Sequence, residues 1–240
     1  LMRLRLLCLL VFINTTVLLQ AQVVYQHVQN TTIYEYLDEM AAMQLIDINT
    51  AVKPYSRQFI ADQLALLDEQ RDELNKRQAG ELDFFLRDYG KELLRYKDQF
   101  DKRFDLFYYA DSSFTLSTNL ILGLTLASEP SALHRWYGAD VFSYLGKGFG
   151  AYVSFRDNYE SAFFTDPEYL NQRMGGALRI DRNAGTQEYS EVRGGLTYAW
   201  NWGAVGLVQD HFVWGNNYNG ANIFSGRTPS LPHLKIQVKP

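Results

Sequence analysis

The residues from Ser113 to Leu126 alternate between apolar and polar side chains with a period of two. Serine, threonine, asparagine and glycine occupy one face. The other face carries Phe114, Leu116, Leu120, Leu122, Leu124 and Leu126. This pattern predicts a β-strand with one apolar face. The strand is longer than the usual five or so residues of a soluble sheet and matches the roughly 9 to 11 residues that cross a bilayer. Taken alone, it fits either a transmembrane β-barrel or a soluble β-sandwich.

The same alternation returns in two hairpins and one last strand. The first hairpin joins residues 135–145 to 149–158 through Gly146-Lys147-Gly148, where glycine permits the positive φ of a tight turn. The second joins 189–200 to 204–213, and a further strand begins at Leu231.

The connections alternate between tight turns and longer segments, the longest being 159–188 and 214–229. Outer-membrane barrels show this alternation, with their tight turns in the periplasm, so it favours the barrel over the sandwich. Aromatic residues cluster near the strand ends, as in the girdles at membrane interfaces. They are Trp136, Tyr137, Tyr144, Tyr159, Tyr198, Trp200, Trp202, Phe212 and Trp214.

Helical periodicity replaces this alternation before residue 105. It predicts a helix over 31–43 capped by Thr31 or Thr32, a second starting at Ser56, and a third over 75–96. Each helix has one apolar face, so three helices together can bury a small core. An amphipathic helix lying on a membrane surface is the alternative.

These patterns divide the chain into three parts and predict an α+β fold. Residues 1–22 carry two arginines and an apolar run and are predicted to be a signal peptide. Residues 23–105 form a short periplasmic helical segment, and residues 106–240 form antiparallel transmembrane strands, the N-terminal part of an outer-membrane β-barrel. Because six predicted strands fall short of the smallest single-chain bacterial barrels, we expect the barrel to be incomplete in this chain and to continue beyond Pro240.

Composition narrows the function classes. The formal net charge of −4 provides no basic field for nucleic acid. The single cysteine, Cys8, lies in the predicted signal peptide, and the four histidines have no metal-ligand spacing, so we predict no metal and no cofactor. Asp210 and His211 are adjacent on a predicted strand and point to opposite faces, which places them poorly for a catalytic triad.

Two groups of residues are candidates for function. Charges on the polar strand faces would be costly against lipid, so we predict that they face the lumen: Arg156, Glu191, Arg193, Asp210 and Lys235. The segment after residue 213 is rich in amides and aromatic rings, groups that hydrogen-bond to and stack on sugars. Its polysaccharide-binding candidates are Trp214, Asn216, Asn217, Tyr218, Asn219 and Arg227; an ordinary turn-rich extracellular loop is the alternative.

Two stretches resemble a known family. They are Ile33–Arg57, which contains K-P-Y-S-R, and Trp214–Pro240, which contains S-G-R-T-P. Both resemble the Wzi-like capsule assembly family, and most closely its gliding motility RemB branch. The resemblance implies an outer-membrane barrel of a Gram-negative cell that attaches or assembles surface polysaccharide and takes part in gliding motility.

The implied partners are surface polysaccharide, outer-membrane lipid, and motility or surface-assembly proteins. The family carries no catalytic motif to transfer, so we predict that the protein is not an enzyme. A diffusion porin and an outer-membrane barrel enzyme are the alternatives.

Overall fold

Alternating apolar and polar residues build one curled antiparallel sheet, and helical periodicity builds three helices. The computed structural model describes residues 22–93, 103–128, 131–167, 178–215, 221, 223–226 and 230–238. Its helices are α1 (Thr31–Ala42), α2 (Arg57–Glu69) and α3 (Lys76–Leu93), with a short 3₁₀ turn at Arg71–Glu73. Its strands are β1 (Val52–Lys53), β2 (Phe107–Ala110), β3 (Phe114–Ser128), β4 (Ser131–Leu145), β5 (Phe149–Glu160), β6 (Leu178–Asp181), β7 (Thr186–Trp200), β8 (Gly203–Asp210), β9 (Val213–Trp214), β10 (Phe224–Ser225) and β11 (Leu231–Val238).

The main sheet is a meander in which chain neighbours are also spatial neighbours. Its order is β2-β3-β4-β5-β7-β8-β11, with β6 paired beside β7, and every pairing is antiparallel. The sheet curls into a half-barrel. An α+β fold with an antiparallel, barrel-like sheet is therefore confirmed, and the strands at the two ends of the described order are β2 and β11.

The two faces of the sheet differ in chemistry. We call the face that carries the helical segment the inner face and the opposite one the outer face. Inner-face Ser117, Thr197 and Asp210 are buried. The outer face instead exposes a broad set of large apolar side chains, which includes Leu120, Leu122, Leu124, Leu126, Val153, Phe155, Leu196, Leu207, Leu234 and Ile236.

The three helices share the predicted apolar core. Their fully buried contacts include Ile33, Leu37, Met40, Ile60, Leu64, Leu67, Leu82 and Tyr89. Ser56 caps α2, because its hydroxyl accepts a hydrogen bond from the Phe59 amide at 3.2 Å. The predicted cap of α1 is wrong: its N-cap is Asn30, whose side chain makes no capping hydrogen bond. None of the helices in the described ranges combines the length and apolar character needed to cross a membrane.

Buried ion pairs dock the helical segment on the inner face. Arg57 Nε lies 2.6 Å from Glu92 Oε1, and the Tyr144 hydroxyl of β4 donates to the same carboxylate at 3.0 Å. Nearby, Lys91 Nζ lies 2.5 Å from Asp105 Oδ1. Charges this deeply buried require partners, since an unpaired charge would lose its hydration without compensation. The helices therefore pack against the sheet rather than standing apart from it.

Two predictions about the connections are wrong. The sequence pattern left residues 127–134 between the first strand and the first hairpin, but Ser128 pairs with Ser131, so only two residues connect β3 and β4. The segment after residue 213 was predicted to be a loop, but it contains two short strands. These strands, β9 and β10, pair with each other, and β9 also pairs with β1 of the helical segment. Because β8 ends at Asp210, this part of the chain turns toward the helices instead of away from them.

The aromatic residues divide between the two faces. Tyr137, Tyr198 and Trp202 are exposed, as an interfacial girdle requires. Tyr144 and Phe212 are buried instead, because they pack beneath the helical segment and its neighbouring strands. The aromatic positions therefore serve both rim and core.

Candidate functional site

Strand register gathers charged side chains on the inner face. Arg156 on β5 pairs in register with Glu191 on β7, and their side chains form an ion pair with Nη2 2.7 Å from Oε2. Two residues along β7, Arg193 reaches Asp140 on β4 and Asp210 on β8, both at 3.4 Å. Side chains two residues apart on a strand share a face, which is why these groups converge.

Asp210 is the most deeply buried carboxylate of this set. It accepts hydrogen bonds from the Tyr152 hydroxyl at 2.9 Å and from the backbone amide of His211 at 2.9 Å, in addition to its contact with Arg193. Such donors compensate for its lost hydration. The carboxylate is thus bound by side chains of neighbouring strands, and its hydrogen bond with His211 comes from the backbone amide and not from the imidazole.

Lys235 lies on the same inner face and is held by aromatic rings. Its Nζ atom lies 3.8 Å from the centroid of the Tyr25 ring and 5.0 Å from that of Phe212. Ammonium groups at these distances are stabilised by the ring quadrupole. Lys235 therefore links β11 to Tyr25 and stands apart from the Arg156–Glu191 pair.

Residues 22–30, which we call the N-terminal segment, cross the inner face beneath the helices. Gln22 donates to the carbonyl of Gly146 at 2.7 Å, and the Thr197 hydroxyl donates to the carbonyl of Val23. Gly150 permits this close approach, because a Cβ atom there would lie 2.5 Å from the Val23 carbonyl oxygen. The segment is thereby fixed to the strands along its first residues.

Further along the chain from that contact, residues of the N-terminal segment and of the sheet surround a cavity of about 300 Å³. We call it the polar cleft. The segment contributes Gln26, His27 and Gln29, and the strands and the residue after β8 contribute Asp140, Ser154, Arg156, Glu191, Arg193 and His211. The ring centroids of His27 and His211 are 5.5 Å apart. Burial holds the pKa of His27 well below its ordinary value, and Arg193, His211 and Arg156 lower it further. His27 is therefore neutral at pH 7.

Four of the five charges predicted to face the lumen thus lie on the inner face in two neighbouring groups, Arg156 with Glu191 and Arg193 with Asp210, and the fifth, Lys235, lies on that face at another position. Sequence reasoning missed Asp140, Ser154 and His27 as parts of the site. Asp140 and Ser154 could have been found, because both occupy inward positions of alternating strands. His27 carried no such signal, since its place depends on the tertiary path of the N-terminal segment.

The polysaccharide candidates divide between described and undescribed residues. Trp214 lies on β9, stacks edge-on against Phe224 at 5.0 Å, and lines a second cavity of about 420 Å³ together with Asn49 and Tyr55. Asn216, Asn217, Tyr218, Asn219 and Arg227 lie outside the described residues. Sugar contact by these residues stays a prediction.

Comparison with known proteins adds no family or relative. No family model matches the chain, and neither curated proteins nor solved structures gave a match. Within the described ranges, no three histidine, cysteine or acidic side chains are grouped so as to hold a metal ion.

Proposed function

We propose that this chain forms part of an outer-membrane β-barrel that attaches or assembles surface polysaccharide. In this proposal the outer face contacts lipid, the inner face lines the lumen, and the helical segment closes part of the lumen from the periplasmic side. The observation that carries the membrane assignment is the distribution of polarity. The outer face is mainly apolar, with Arg135, Asp157 and Glu188 grouped around Tyr137, whereas the inner face carries the ion pairs.

The exposed fractions measure this distribution. Leu122 is 70% exposed, Leu126 72% and Leu207 64%, whereas Asp210 is 2% exposed. Soluble monomers rarely expose contiguous apolar surface of this kind, because it drives association in water. Lipid-facing barrel strands present the same alternation with apolar residues outward and polar residues inward.

The height of the apolar band also fits a bilayer. On β5 the outward positions run from Phe149 to Tyr159 and include one carboxylate, Asp157, near the Tyr159 end; these ten residue steps span about 33 Å along the strand. At the tilt of about 40° common in barrels, the height is about 25 Å, the usual height of the lipid-facing band. Phe149 and Tyr198 have ring centroids 4.7 Å apart, and Trp200 and Trp202 continue this aromatic rim.

The polysaccharide role is supported by the two family-like stretches and by the inner face. The first stretch includes Ser56, which caps α2, and Arg57, which pairs with Glu92 of α3 and lies 4.7 Å from the centroid of the Phe142 ring on β4. These motif residues therefore have structural roles. The polar cleft supplies the closely spaced donors and acceptors that hydroxyl-rich ligands require. A role in gliding motility follows from the same resemblance.

The test is a deletion of the full-length gene in the source organism, complemented with the wild-type gene. Cell-bound and released polysaccharide and spreading on agar are measured together. We expect polysaccharide to be released on deletion and to return to the cell surface on complementation. Unchanged polysaccharide with lost spreading would replace the proposal with a motility adhesin. Unchanged polysaccharide and spreading, with ion conductance by the purified protein, would replace it with a diffusion porin.

A further inference from the structure

We propose that the polar cleft is a binding subsite for an uncharged, hydroxyl-rich sugar unit of the polysaccharide. This inference rests on the proposed function and adds to it the position of the site and the class of sugar. The cleft lies on the inner face of the sheet, and Trp214 is not among the residues that line it. Its volume of about 300 Å³ is at the lower end of the range for ligand pockets, which suits a single sugar unit.

The hydrogen-bonding groups of the cleft match sugar hydroxyls. Arg156 presents donors beside the acceptor oxygens of Glu191, with Nη2 and Oε2 2.7 Å apart. A hydroxyl group both donates and accepts, so two neighbouring hydroxyls can bind such a pair at once. Arg156 Nε is buried and has no hydrogen-bond partner among the described residues. A ligand oxygen would satisfy this donor, whose burial is otherwise unfavourable.

The balance of charge favours a neutral ligand over an acidic one. The positive charges of Arg156 and Arg193 are balanced by the negative charges of Glu191 and Asp140. Arg193 also contacts the buried carboxylate of Asp210. His27 adds no positive charge at pH 7, because burial and the neighbouring cations keep it neutral. A carboxylate or phosphate entering the cleft would meet these carboxylates without a surplus cation to bind it.

The remaining walls complete a sugar site. Ile121 contributes an apolar contact for the C–H face of a ring, while Ser154, Gln26 and Gln29 contribute further polar groups. The Trp136 ring centroid lies 6.0 Å from the Arg156 guanidinium, which places a fluorophore beside the cleft.

The experiment measures binding of fragments of the organism's own surface polysaccharide to the full-length protein in detergent. Binding is followed by tryptophan fluorescence, before and after chemical reduction of the carboxyl groups in the fragments. We expect wild type to bind the reduced fragments at least as tightly as the native ones. Arg156→Gln removes the guanidinium and Ser154→Phe fills the cleft, and each should weaken binding at least tenfold. Arg179→Gln, the same change on exposed β6, should stay within twofold.

Glu191→Gln provides a specificity test. It frees Arg156 from its carboxylate, so it should weaken binding of the reduced fragments and create a preference for native acidic ones. Wild-type binding that disappears on carboxyl reduction, or unchanged binding by both Arg156→Gln and Ser154→Phe, would overturn the inference. If deletion of the gene releases polysaccharide while these two variants bind normally, the subsite alone fails. If deletion releases none, the proposed function fails.

Discussion

The outer face can be tested with two arginine substitutions on one strand. Leu120 and Leu126 both belong to β3, point outward, and are 56% and 72% exposed. The band height derived above places them differently. Leu120 lies near the middle of the band, and Leu126 lies beyond the β3 residue paired with Arg135, close to the hairpin end at Ser128.

The two environments give different magnitudes. In water, arginine at either exposed position should change the free energy of unfolding by no more than about 0.5 kcal/mol. In a bilayer, arginine near the midplane costs about 2–4 kcal/mol, and near the interface about 0–1 kcal/mol. We therefore expect Leu120→Arg to lower the folding equilibrium constant by about 30- to 900-fold, and Leu126→Arg by at most about fivefold.

The assay is urea unfolding of the full-length protein in phospholipid vesicles, followed by tryptophan fluorescence and by the mobility of unheated samples on gels. The same two variants are also measured in detergent-free buffer. Equal effects of the two substitutions in vesicles, or folding of wild type without lipid or detergent, would refute the lipid-facing assignment of the outer face.

Three further predictions concern the helical segment and its docking. Glu92→Gln leaves Arg57 buried without its carboxylate and should lower the free energy of unfolding by about 3–5 kcal/mol. Tyr144→Phe removes one hydrogen bond to Glu92 and should lower it by only about 1 kcal/mol. Equal losses in the two variants would contradict the Arg57–Glu92 ion pair. Ser56→Ala should cost about 1 kcal/mol through loss of the α2 cap, measured by chemical denaturation, whereas Ser56→Asp should retain most of the stability. Burial, followed by Arg193, depresses the pKa of His27, so below about pH 6.5 the unfolded chain binds a proton that the folded chain excludes. Stability should consequently fall between pH 7.5 and pH 5, and His27→Gln should reduce this fall; an unchanged pH profile would show that His27 is not its source.

Most of the fold could be predicted from local sequence patterns. Alternation along β3, β5 and β7 identified both the strands and the side that each residue faces, because a period of two depends only on the strand itself. Gly146, with φ of +59°, marked the turn between β4 and β5. Ser56 marked the start of α2 for the same local reason, since its capping partner is three residues away.

Pairings between distant short segments could not be predicted. β1 and β9 have two residues each and lie far apart in the chain, so neither has a periodic pattern long enough to recognise. Their pairing nevertheless turns the chain after β8 toward the helices. β6 was missed in the same way, inside a segment taken for a loop. Its four residues pair with the start of β7 across the turn at 182–185, so the pairing is local, but the strand is too short for alternation to identify it.

The inner face shows why a polar strand face is not one kind of environment. Where Phe142 and Tyr144 are buried beneath the helical segment, their side chains contact the buried Arg57–Glu92 pair. Elsewhere on the inner face, Arg156 and Glu191 line the polar cleft, and their side chains are 30% and 25% exposed. Alternation predicts that all these positions point inward, but it cannot distinguish contact with protein from contact with a ligand or water. That distinction depends on where the N-terminal segment ends its contact with the strands, and the polar cleft lies at that boundary.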